Sequence, residues 1–206
     1  MAIELYSWPR SSGTRVSWAL EELGVPYNYV ALDPKKQEHL APKYLAINPH
    51  GKVPALVDDG QRFFESAAIL VHLGDKYGVA KKLWPAPGSQ AHADALSWTV
   101  WASCELVAYM MQYLYHGMDT PVSYRREDRS KAAAEYCLSQ LARQLRALET
   151  QLQGRDYLFG GFSLADVAAG SALAMGTSLG LGLEQYPRAA GWCHRCTDRP
   201  AFKRAR

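Results

Sequence analysis

The chain has 206 residues, 48% of them hydrophobic and 21% charged, which supports globular packing and excludes wholesale disorder; the length suits one ordinary domain or two small ones. A net charge of +3 is too small to mark a nucleic-acid partner. No apolar run reaches the roughly 20 residues of a membrane span, and the first residues carry no secretory pattern, so a cytoplasmic protein is expected.

Residues 3–7 alternate as a first strand, and Trp8-Pro9-Arg10-Ser11-Ser12-Gly13 is a loop. Val16, Ala19, Leu20 and Leu23 recur at helical spacing, and Gly24-Val25-Pro26 stops that helix. Residues 27–32 give a second strand, and the order β-α-β predicts a parallel pair with a crossover helix. Residues 37–47, interrupted by Pro42, predict a short helix or an irregular segment. The next stretch, from Asn48 to Ser66, is the most informative in the chain. Val53-Pro54-Ala55-Leu56-Val57 is an apolar strand carrying a proline, which has no N–H for a sheet ladder; that places it at an edge, a bulge or a strand start, and a cis bond is an option there. Asp58-Asp59-Gly60 is a turn signal and residues 61–64 a return strand, together a hairpin. Glu65-Ser66 then opens an apolar helix over residues 65–77, with Ser66 near its start, where free N–H groups favour anions.

Residues 79–88, rich in Gly, Pro and Lys, read as a linker, and strand signals stop after them. Residues 89–116 and 130–153 are long, Ala/Leu-rich and periodic, which predicts two antiparallel helices. Ser163 and Asp166 form an S-x-x-D cap ahead of an apolar run over residues 167–174, and a last helix is expected over residues 186–197. The fold class is therefore α/β plus all-α: residues 1–78 a small α/β domain, residues 89–206 a helical bundle domain.

A backbone edge beside a proline, followed by an acid-hydroxyl pair at a helix start, suits a small peptide bearing a carboxylate. The edge can pair with the peptide backbone, Ser66 and the helix start can hold the carboxylate, and Glu65 can hold an ammonium. Each feature alone is equally an ordinary hairpin and a capped helix. In combination, Val53-Pro54 and Glu65-Ser66 resemble the glutathione-binding half of the cytosolic glutathione S-transferase family, of the theta-, phi- or delta-like serine type. The resemblance covers essentially the whole chain. It implies a thioredoxin-like N-terminal domain, a detoxifying conjugation of glutathione thiolate to hydrophobic electrophiles, weak peroxidase activity in some members, and a homodimer. No cofactor, membrane or nucleic acid is implied; glutathione is a co-substrate.

A free thiol with a pKa of roughly 8.5 is only a few per cent ionised at neutral pH, so such an enzyme must favour the thiolate. Hydrogen-bond donors near a helix start can do so. Counting back from Arg15, the resemblance to theta- and delta-like enzymes places Ser11 at their catalytic serine, with Ser12 the second candidate, although a Ser-Ser-Gly turn can also be simply a helix cap. Tyr6 belongs to the strand and is expected to pack. The resemblance further implies backbone pairing at Val53, next to Pro54, for the cysteinyl unit, Glu65 and Ser66 for the γ-glutamyl end, and Lys52 and His39 for the glycyl carboxylate, with His50 a substitute for His39. The electrophile pocket is expected to take Trp8, Tyr109 and Tyr113, the tyrosines being part of a stripe with Trp101, Glu105, Ala108 and Gln112 that is equally a core or dimer face.

The loop over residues 8–14 lacks the cysteine of family members that exchange disulfides, and its Ser-Ser-Gly departs from the Ser-Ser-Cys of zeta-like isomerases. A zeta-like isomerase and a non-catalytic binder of glutathione or hydrophobic ligands remain the alternatives. Cys193-His194-Arg195-Cys196 falls within a predicted late helix, and with Cys104 and Cys137 on other helices it is expected to be neither a redox pair nor a zinc site.

Overall fold

A computed structural model describes residues 3–205; residues 1, 2 and 206, at the ends of the two expected domains, lie outside it. The chain forms two compact units. The first runs through Leu96 and takes in the tail from Arg199; the second is Ser97–Asp198. Each is built around its own elements.

In the first unit, β1 (Ile3–Ser7) runs into α1 (Thr14–Leu23) and β2 (Tyr27–Ala31), then the short α2 (Pro42–Leu45), β3 (Ala55–Asp58), β4 (Gln61–Phe64) and α3 (Ser66–Leu73). The sheet order is β2-β1-β3-β4, with β1 parallel to β2 and antiparallel to β3. Leu5 faces Tyr29 on one side and Leu56 on the other. Ile3, Leu5, Leu56, Val16, Leu20, Ile69 and Leu70 are buried as the alternating and helical periods require. α1 ends at Gly24, whose φ of 57° is the left-handed conformation that glycine adopts at least cost.

Three sequence expectations shift here. The third strand begins at Ala55, after Pro54, because the proline cannot donate to the ladder. The hairpin turn is Asp59-Gly60, both at positive φ, while Asp58 stays in the strand opposite Gln61. The helix after the hairpin is α only over Ser66–Leu73 and continues as a π turn over Gly74–Gly78, where Trp84 lies against Gly74 so closely that a β-carbon there would sit 2.6 Å from its ring. Pro42 interrupts residues 37–47 as expected, starting α2 at its first position after a 3₁₀ turn over Glu38–Leu40.

α4 (Gln90–Trp101) crosses the division between the units. The second unit continues with a π turn over Ala102–Leu106, then α5 (Val107–Gly117), α6 (Lys131–Gln151), α7 (Leu164–Ser178) and α8 (Pro187–Thr197); α9 (Pro200–Arg204) belongs to the first unit. α5 packs on α6 and α7 on α8. The cap at Ser163 is present: Asp166 Oδ2 accepts from the Ser163 N–H and hydroxyl, both at 2.9 Å. Cys193 and Cys196 are buried positions of α8, and burial pushes the Cys193 thiol up to about 11. No helix among the described residues is long and apolar enough to cross a membrane.

Candidate functional site

The site is assembled on the first unit, where the β1–α1 loop, the segment before β3 and the start of α3 meet. The Val53-Pro54 peptide bond is cis, and Val53 precedes the first laddered residue of β3, Ala55. The segment leading into it is fixed from below. The buried Tyr44 hydroxyl and the Asn48 side-chain amide both donate to the Lys52 carbonyl, the amide at 2.6 Å, and Asn48 Oδ1 takes the His50 N–H at 3.0 Å. Burial raises the Tyr44 phenol to about 12 against the pull of Asn48, so it remains a donor throughout the neutral range.

Gly13 is where the loop meets the strand. A β-carbon on Gly13 would lie 1.8 Å from Ser7 Oγ, so only glycine lets α1 start this close to β1. The two candidate hydroxyls differ in what holds them. Ser11 Oγ donates to the Trp8 carbonyl at 2.7 Å, accepts from the Gly13 N–H at 3.1 Å and lies 3.0 Å from Ser7 Oγ. Ser12 is exposed, and its hydroxyl donates across 41 positions of sequence to the Val53 carbonyl at 3.0 Å. Tyr6 lies within β1 paired with Val30 and Ala55, and its hydroxyl donates to Glu4 at 2.9 Å.

Glu65 stands outside α3 at a φ of 65°, exposed, and Ser66 is the first helical residue, 7% exposed. Arg15, on the second position of α1, is 5% exposed and donates from Nη1 to Ser66 Oγ at 3.2 Å. Burial lowers its guanidinium to about 10, still cationic at neutral pH. Sequence reading used Arg15 only as a counting mark. The available signal was its spacing: it sits four residues before Ala19, beside the apolar stripe of α1, in a helix with no acid in its first turn.

The remaining candidates divide. His39 is half-buried and meets the Trp8 ring edge-on, with centroids 5.5 Å apart. His50 is exposed and instead packs against Phe64, with centroids 5.5 Å apart. The Lys52 side chain is exposed. In the second unit, Tyr109 lines a groove of about 670 Å³ with Trp98, Trp101, Glu105, Gln140 and Arg143, whereas Tyr113 lies against Gly117 and is not part of that lining. Among the described residues no cluster of three His, Cys, Asp or Glu side chains could hold a metal ion.

A backbone edge with a donor hydroxyl over it, flanked by a helix start with a buried guanidinium behind it, has the chemistry to pair with a short extended peptide and an anionic group. Residues 1–75 match the glutathione S-transferase N-terminal domain and residues 107–200 the C-terminal domain, and the chain belongs to the glutathione S-transferase family. Rat glutathione S-transferase theta-1 is 32% identical, over 95% of this chain and 82% of its own. The disulfide-bond oxidoreductase YfcG of Escherichia coli K12 is 29% identical over 98% of this chain and 94% of its own. Among solved structures, the glutathione transferase URE2P8 of Phanerochaete chrysosporium, with oxidized glutathione, superposes with a TM-score of 0.85 at 27% identity, covering 98% of this chain and 92% of that one.

Proposed function

We propose that the protein conjugates the thiolate of glutathione to hydrophobic electrophiles, with the Ser12 hydroxyl as the group that favours the thiolate. The observation that carries this is the Ser12–Val53 bond of 3.0 Å. The Val53 carbonyl is the acceptor that a cysteinyl N–H would take on the peptide edge. With the peptide N–H sharing that carbonyl, the Ser12 hydroxyl stands next to the cysteine side chain and can turn its proton from the carbonyl to sulfur. Ser11, ranked first from sequence, already spends its proton on the Trp8 carbonyl and serves the loop. Glu65, Ser66, Lys52 and His39 take the two ends of the peptide.

The test is retention on immobilised glutathione, then turnover of an aromatic halide by wild type, Ser11→Ala and Ser12→Ala. Retention is expected, with Ser12→Ala losing about a hundredfold in turnover, the scale of one donor to a developing anion. Loss confined to Ser11→Ala reassigns the donor. Retention without wild-type turnover marks a non-catalytic binder, and no retention defeats the reading.

The likeness to YfcG supports a second reaction at the same site, reduction of a disulfide. With no cysteine in residues 8–14, two glutathione thiols would supply the electrons: the substrate disulfide becomes two thiols and glutathione becomes its own disulfide. Assay of a small symmetrical disulfide beside the halide separates the two. We take the chain to act as a cytoplasmic homodimer, in keeping with the family and with the exposed Val100 and Tyr136 in the second unit. Light scattering showing a single-chain mass would overturn that.

A further inference from the structure

The Arg15–Ser66 bond has a chemical consequence for the site. A hydroxyl carries one proton and two lone pairs, whereas guanidinium is donor only. Arg15 Nη1 therefore occupies a lone pair of Ser66 Oγ, and the Ser66 proton must go elsewhere. Among the described residues nothing accepts that proton, and the bond from Arg15 is the only one the Ser66 hydroxyl makes. Ser66 is 7% exposed, so a proton left without an acceptor there is costly. It sits at the first position of the eight-residue α3, where backbone N–H groups also await an acceptor. Arg15 itself is 5% exposed and lies near the start of α1, which packs on α3. An unspent hydroxyl proton beside unfilled backbone N–H groups at a helix start calls for an anion.

We infer that Arg15 is a positioning residue for the anionic γ-glutamyl end of the peptide: by filling a lone pair of Ser66 it turns the Ser66 proton toward the ligand's α-carboxylate. This rests on the glutathione reading above and adds a specificity element to it. Because Arg15 leaves the β1–α1 loop only two residues after Gly13, one side chain ties the turn that holds the sulfur donor to the turn that holds the carboxylate, 51 positions away. Arg15 touches Ser66 rather than the reacting atoms, so its removal changes which peptide is bound more than how fast a bound one reacts.

The experiment compares glutathione with its analogue lacking the α-carboxylate, γ-aminobutyryl-cysteinyl-glycine. Binding by calorimetry and KM and kcat for the aromatic halide reaction are measured on wild type, Arg15→Gln, Arg15→Lys, Ser66→Ala and the double variant Arg15→Gln/Ser66→Ala. Wild type is expected to prefer glutathione over the analogue. Arg15→Gln and Ser66→Ala should each shrink that preference by about tenfold, the scale of one hydrogen bond to a charged group. The kcat of Arg15→Gln at saturating glutathione should stay within about twofold, as for an interaction made equally in ground and transition states. Arg15→Lys, which keeps a donor-only cation, should retain most of the preference, and the double variant should lose no more than Ser66→Ala alone. A preference unchanged in a folded Arg15→Gln, or losses that multiply in the double variant, would overturn the inference. Should Arg15→Gln fail to fold by thermal melt, an unchanged preference in Ser66→Ala overturns it equally. A wild type that binds neither peptide defeats the transferase reading itself; a wild type that binds both alike defeats only the role given to Arg15.

Discussion

At the scale of single residues, two side-chain environments make sharp claims. Gly13 faces Ser7 Oγ at a distance no β-carbon tolerates. Gly13→Ala should therefore push Ser7 and the loop apart, costing about 1–3 kcal/mol by overpacking and weakening glutathione retention together with Ser12's bond to Val53. Thermal melts and the affinity column check both. Asp58 is fully buried at the end of β3 and accepts from His72 Nε2 at 2.7 Å, Lys76 Nζ at 2.9 Å and Tyr77 at 3.0 Å. Burial opposes its charge, but the bonds from Lys76, His72 and Tyr77 outweigh burial and hold its carboxyl below the ordinary range. A depressed carboxylate contributes stability that is present above its unfolded pKa and lost as pH falls through the folded one. Asp58→Asn should cost about 2 kcal/mol at neutral pH. That difference should shrink in acid, below the ordinary carboxylate range, when wild-type Asp58 is protonated too. Urea titrations at several pH values read this directly; a difference that grows in acid would contradict the sign.

At the scale of elements, α7 shows how much a capping motif can hide. The Ser163–Asp166 spacing marks a helix start, and it is one. The same carboxylate also takes the Leu158 N–H at 2.9 Å and the Trp192 indole N–H at 2.8 Å, joining the preceding loop and α8 to the cap. Burial pushes this carboxyl above its usual range even though four donors pull the other way. Asp166→Asn keeps the shape but turns an amide N–H₂ toward donors, leaving at least one of them unpaired. A loss of about 1–3 kcal/mol is expected by chemical denaturation, larger than for Ser163→Ala, which removes one bond of the set. Equal losses would reduce Asp166 to a simple cap.

At the scale of the whole molecule, the first unit is closed by the far end of the chain. Arg199 makes a paired contact with Glu22 at 2.6 and 2.8 Å, Arg204 meets Glu21 at 2.8 Å, and the Phe202 ring lies edge-on to Trp18, centroids 5.0 Å apart. All of these partners lie on α1, whose other end starts at the candidate site. Glu22 is largely buried, so Arg199→Ala should cost about 1–2 kcal/mol rather than the near-zero of an exposed pair. Glu22→Ala should cost a similar amount and the double variant little more than either, as a double-mutant cycle of melts would show. The helical spacing of residues 16–23 marks the inward face of α1, yet nothing in it shows that a segment 177 positions later supplies a cover.

What could be read from the sequence is what short-range chemistry dictates. Apolar periodicity marked the β-α-β opening, the Asp58-Asp59-Gly60 signal marked a hairpin one residue wider than its turn, Pro54 left its strand's start open, and Ser163-x-x-Asp166 marked a helix start. Each depends on backbone conformation within a few residues, which side-chain type controls locally. The Glu65-Ser66 and Val53-Pro54 pairs likewise pointed to the family that the full-length comparison shows. Only the tertiary structure decided that Ser12 rather than Ser11 meets the Val53 carbonyl, that Arg15 sits behind Ser66, and that Tyr44 and Asn48 anchor Lys52. Two of those bonds join residues 41 and 51 positions apart, and a hydroxyl's partner depends on which surfaces folding brings within 3 Å, a fact no local pattern encodes.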